Sequence, residues 1–60
     1  VGQLASAYHN FGYYYKALGD SRIAISHFQK AMTYYDEKSP ERGALQKEIN
    51  DLEAAQKPAR

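Results

Sequence analysis

The chain has 60 residues and no cysteine, which excludes disulfides and the usual thiolate zinc sites. Eight Lys+Arg against seven Asp+Glu leave a net charge of +1, far from the basic excess of a nucleic-acid-binding surface. No apolar run approaches the roughly 18 residues of a membrane span, and residues 1–4 do not open a secretory signal pattern.

The first expected helix runs from about Gln3 to Leu18. Leu4, Tyr8, Phe11, Tyr15 and Leu18 recur at steps of three and four, which sets them on one face as the expected core stripe. Ser6, His9, Tyr13 and Lys16 fall on the opposite face. Gly19-Asp20 breaks the segment, with glycine suited to a left-handed helix end and Asp20 or Ser21 to the next cap. The second helix is expected over Ser21 to Tyr35, with Ala24, Phe28, Ala31 and Tyr35 in one stripe widened by Ile25 and Met32. A link this short makes the first two helices antiparallel neighbours.

Asp36 to Ser39 reads as a polar connection. Ser39-Pro40 is a helix start, serine as cap and proline in the first turn, where its missing N–H costs nothing. The third helix spans Pro40 to Gln56, with a narrow apolar stripe of Leu45, Ile49 and Leu52 flanked by Ala44 and Ala55. Residues 58–60 are expected to be a disordered tail. The fold class is therefore all-α: an antiparallel helical hairpin plus a third, capping helix.

Tyr8-x2-Phe11-Gly12-x2-Tyr15 followed by Ala24-x3-Phe28 resembles the tetratricopeptide repeat, W-x2-L-G-x2-Y then A-x3-F then P over about 34 residues. Ala31 falls where that family prefers a small residue, and Gly19-Asp20 resembles its turn. The match covers about Ala5 to Lys38. Tyr8 and Phe11 replace the tryptophan and leucine, and Asp36 stands where the closing proline is common. Pairing Gly12 with Ala24 would let the two backbones approach, with Tyr8, Phe11, Tyr15 and Phe28 around them. In the third helix Leu45 and Ile49 take repeat positions, but Arg42 and Gln46 replace tryptophan and glycine, as a polar terminal cap requires. The resemblance thus implies a repeat over residues 1–38 and a capping helix over 39–57, at the C-terminal end of an α-solenoid array.

The same resemblance implies a protein-interaction role, with no catalysis, cofactor or metal, and with partner peptide segments and neighbouring repeats as ligands. The first helix would line a groove with Ser6, His9, Asn10, Tyr13, Lys16 and Ala17, a mixed aromatic, amide and basic surface able to grip a peptide or its carboxylate. Asn10 matches an asparagine of the family's carboxylate clamp, while His9 stands where lysine is usual. In Tyr13-Tyr14-Tyr15, helical geometry sends Tyr15 to the core, Tyr13 to the open face and Tyr14 to the flank. Stacks of this kind usually need three or more units, so Ala7 and Tyr14 are expected on an apolar edge. That edge could be covered by a neighbouring repeat or by a second copy.

Nothing in the residues supports catalysis. His9 and His27 lack the i, i+4 spacing of a helical metal pair, and Ser26-His27 are adjacent, so their side chains diverge. Glu48, Asp51 and Glu53 read as solubilising charge. Ser39-Pro40-x-Arg42 resembles a proline-directed phosphorylation site, yet a helix cap explains the serine equally well. Self-association of the hairpin is the competing functional reading, and an ancillary segment of a larger enzyme or signalling protein is the third.

Overall fold

A computed structural model of the chain describes residues 2–56. They form three α-helices, α1 (Gly2–Ala17), α2 (Ser21–Tyr34) and α3 (Pro40–Gln56), and no strand. The fold is all-α, with α2 packed against both α1 and α3. The tail expected at 58–60 lies outside the described residues.

Local chemistry sets each boundary. At the end of α1, Gly19 takes φ 86°, the left-handed region that favours glycine. The N–H of Asp20 then donates to the Tyr15 carbonyl and that of Gly19 to Lys16, the paired bonds of a Schellman turn. Asp20 caps α2, its carboxylate accepting from the Ile23 N–H at 3.3 Å. Ser39 caps α3: its Oγ accepts from the Glu41 N–H at 3.2 Å, and its hydroxyl donates to the Glu41 carboxylate. That donor bond holds the Glu41 carboxyl below its ordinary range, and a negative charge in the first turn also suits the helix dipole.

The first two helices run antiparallel, and ring contacts record the register. Tyr8 stacks on Tyr34 with centroids 5.7 Å apart, while Tyr15 lies 5.2 Å from His27. Between these contacts, Phe28 is fully buried over Gly12. Ala24, Phe28 and Ala31 from α2 join Leu45, Ile49 and Leu52 from α3 in one buried cluster. Tyr8, Tyr15, Ile25, Met32 and Tyr35 pack around it, partly exposed.

The core face of α1 differs from the stripe expected of it. Phe11 is 54% exposed, and Leu4 and Leu18 are 49% and 62% exposed. Ala5 and Gly12 are buried instead. The reason is the Phe28 ring. A Cβ at position 12 would lie 2.5 Å from two of its atoms, so α1 can cover that ring only along a line of small residues. The helix is therefore rotated so that Ala5 and Gly12 meet α2, with Tyr8 and Tyr15 at the margin and the Leu4, Phe11, Leu18 line outside. Gly12 makes room for Phe28, where the sequence had suggested a pairing with Ala24.

Candidate functional site

Two surfaces of α1 carry chemistry. The first faces α3. Lys16 Nζ donates to Glu48 Oε1 at 2.7 Å, and the Tyr13 hydroxyl donates to Glu48 Oε2 at 3.2 Å. The ammonium also sits 5.7 Å from the centre of the Tyr13 ring, within cation–π range. One turn earlier, His9 Nδ1 is 3.1 Å from the Tyr35 hydroxyl, and its ring stacks on Tyr13 at 5.1 Å. Tyr13 and His9 both set their rings near-perpendicular to Phe28, at 5.2 and 6.0 Å. The buried phenylalanine is thus the floor on which these two side chains rest.

This geometry divides the six residues expected on the binding face. His9, Tyr13 and Lys16 have their polar ends engaged by Tyr35 and Glu48. Ser6, Asn10 and Ala17 are exposed, and Asn10 lines a different groove. Two participants were missed from sequence: Tyr35, read as part of the α2 stripe, and Glu48, read as solubilising charge. The available signal for Glu48 was its place immediately before Ile49 and three residues after Leu45, at the shoulder of the apolar stripe of α3.

Electrostatics within the trio are mutually reinforcing. The hydrogen bond from Lys16 holds the Glu48 carboxyl below its ordinary range, helped by the lysine charge. The same bond raises Lys16. Desolvation, then the Glu48 charge, raises Tyr13. Glu48 therefore releases its proton more readily folded than unfolded, so its contribution to stability is present above the ordinary glutamate pKa and lost as pH falls through the lowered value. Lys16 has the opposite sign: its contribution is full below the ordinary lysine pKa and lost as pH rises through the raised one. Tyr13 also loses stability on the alkaline side, because the unfolded chain ionises first. We expect the thermal midpoint to be level between about pH 6 and 9 and to fall on both sides. Glu48→Gln should blunt both limbs, leaving the Glu41 contribution at the acid end. Lys16 is 42% exposed, so the neutral-pH cost is about 0.2–1 kcal/mol. Unchanged limbs in Glu48→Gln would mean that the trio does not form in solution.

The second surface is the side of α1 turned away from α3. Ala7, Asn10, Phe11 and Tyr14 line an open groove there of about 450 Å³. Tyr14 is 58% exposed, and Ala7 is exposed beside it. Phe11 leans on His27, with ring centroids 5.8 Å apart. His27 itself donates from Nδ1 to the Ile23 carbonyl at 3.0 Å, so it fills the hairpin margin between Tyr8, Phe11 and Tyr15. Among the described residues there is no group of three His, Cys, Asp or Glu placed to hold a metal ion. No helix there is long and apolar enough to cross a membrane. Compared with known proteins, the chain matches no family model, no curated protein and no solved structure.

Proposed function

We propose that the chain is a non-catalytic protein-interaction module, a helical hairpin of tetratricopeptide type with a third helix packed on α2, that holds peptide segments of partner proteins. The observation that carries this reading is the convergence of two α1 donors, the Tyr13 hydroxyl and the Lys16 ammonium, on the Glu48 carboxylate. Charge-assisted donors fixed on a rigid helix make a ready carboxylate seat. Glu48 occupies it in the free protein, 23% exposed at its side chain. A peptide carboxylate takes the place of Glu48, while the partly exposed Tyr13 side chain supplies an adjoining contact. Aromatic residues are enriched at such interfaces. The sequence resemblance and the small-residue packing of Gly12 under Phe28 support the repeat type.

Glu48→Gln should tighten binding of peptides carrying a free carboxylate, because the lysine then loses its internal anion. Lys16→Ala should abolish the preference for the carboxylate over the amidated peptide. Fluorescence anisotropy with matched acid and amide peptides measures both. Equal affinity for the two forms, or indifference to Lys16, would remove this reading.

A further inference from the structure

The side of α1 away from α3 has a regular pattern. Leu4, Ala7, Phe11, Tyr14 and Leu18 are spaced 3, 4, 3 and 4 apart, the a and d positions of a heptad seam. All five are exposed, although apolar side chains at this spacing ordinarily meet another helix. The flanking positions Gln3, Asn10 and Ala17 carry no charge, and α1 holds a single charged residue, Lys16, which is paired with α3. By contrast α3 shows Glu41, Lys47, Asp51 and Glu53 to solvent. Only the α1 end of the helix row is built without charge.

We propose that a second copy of this chain closes this seam, α1 lying antiparallel against α1 across a two-fold axis. The occupant follows from three features. First, in an antiparallel pair an a position shares a layer with a d position of the other helix. One register then sets Ala7 against the partner's Phe11 and Leu4 against the partner's Tyr14, and the two-fold repeats both layers. The groove beside Ala7 receives the partner's phenyl ring, so small meets large in each central layer. Second, α1 itself brings no charge to the seam; the Lys30 ammonium of α2 stands beside it, 5.8 Å from the centre of the Tyr8 ring.

Third, the area is that of a weak, concentration-dependent pair. Phe11, Tyr14 and Leu4 at their 54%, 58% and 49% exposure leave on the order of 300 Å² open on one helix, scaled from aromatic side chains of about 150–250 Å². Both copies together reach about 600 Å², below the roughly 1,200 Å² of stable specific interfaces, which makes the pair a weak one that forms with rising concentration. A two-fold pairing is closed, so it ends at a dimer and leaves the charged α3 faces outermost. The seam lies apart from the Tyr13, Lys16 and Glu48 trio, so this inference does not rest on the peptide-binding proposal.

Sedimentation equilibrium of the full chain from low micromolar to millimolar concentration, with helical circular dichroism on the same samples, is the test. A monomer–dimer equilibrium is expected. Ala7→Glu should weaken it at least tenfold while the chain stays helical, since glutamate is a good helix former at an exposed site. Ser26→Glu, which adds the same charge to the exposed side of α2, should leave it within twofold. Ala7→Phe alone crowds the central layers and should weaken the dimer. Combining it with Phe11→Ala should restore association, because each layer again holds one large and one small side chain. A monomer throughout the range overturns the proposal, as does a dimer indifferent to Ala7→Glu. A dimer that Ala7→Phe with Phe11→Ala fails to restore overturns the antiparallel register.

Discussion

Phe28→Ala should leave the chain largely unfolded at 25 °C. Phe28 is fully buried, and it joins all three layers of contact. Its ring lies over Gly12 of α1, carries the edges of His9 and Tyr13, and belongs to the cluster with Leu45, Ile49 and Leu52 of α3. Removing a buried phenylalanine costs about 3–5 kcal/mol. Domains are stable by about 0.05–0.15 kcal/mol per residue, which for a chain this short is roughly 3–9 kcal/mol in total. Chains of about this length are marginal and sit toward the low end of that range, so the loss consumes most or all of the margin. Urea titration followed by circular dichroism measures it, and a transition within about 1 kcal/mol of the parent would show that Phe28 is not the keystone described. If the chain pairs through α1, the comparison must be made at one protein concentration, because association adds to apparent stability.

Gly12→Ala should destabilise by about 1–3 kcal/mol, the range for overpacking a close contact. The sign is the informative part. Alanine in place of glycine inside an exposed helix normally stabilises by about 1 kcal/mol. Gly43 in α3 provides the control, since a Cβ there meets nothing within 4 Å. Gly43→Ala should thus stabilise and Gly12→Ala destabilise, by the same chemical change in the same chain. The atoms nearest the new methyl are Cδ1, Cε1 and Cζ of Phe28. Leucine lacks the outer two, so Gly12→Ala with Phe28→Leu should cost less than the two single changes added together. Additivity within about 0.3 kcal/mol would dissolve the pairing.

Turn and cap chemistry made the helix limits legible. Gly19 with Asp20, and Ser39 with Pro40, each occupy the place that their backbone preference demands, and α3 spans Pro40–Gln56 as its pattern suggested. The stripes of α2 and α3 were legible for a related reason: each has one apolar band bounded by polar residues, narrow in α3 and widened by Ile25 and Met32 in α2. The inner face of α1 was not. Leu4, Ala5, Ala7, Tyr8, Phe11, Gly12, Tyr14, Tyr15 and Leu18 span about half of its circumference, so periodicity cannot say which part meets α2. Size misled as well, because the large residues looked like core while the buried line is Ala5 and Gly12. What decided it was the volume of Phe28 on the opposite helix, a fact about two elements at once. Glu48 escaped for the same reason, since its donors come from residues 32 and 35 positions earlier.

The uneven placement of charge along the chain also implies that ionic strength acts differently on the two sides of α1. Lys16 and Glu48 form an exposed pair, and their attraction, like that of any carboxylate brought to Lys16, weakens as the screening length shrinks from about 10 Å at 0.1 M salt to about 3 Å at 1 M. The Leu4 to Leu18 line has no charge to screen, and salts excluded from protein surfaces, such as sulfate, strengthen apolar burial. One titration with sulfate therefore pulls the two surfaces in opposite directions, loosening whatever is held at the lysine and tightening whatever is held along the seam.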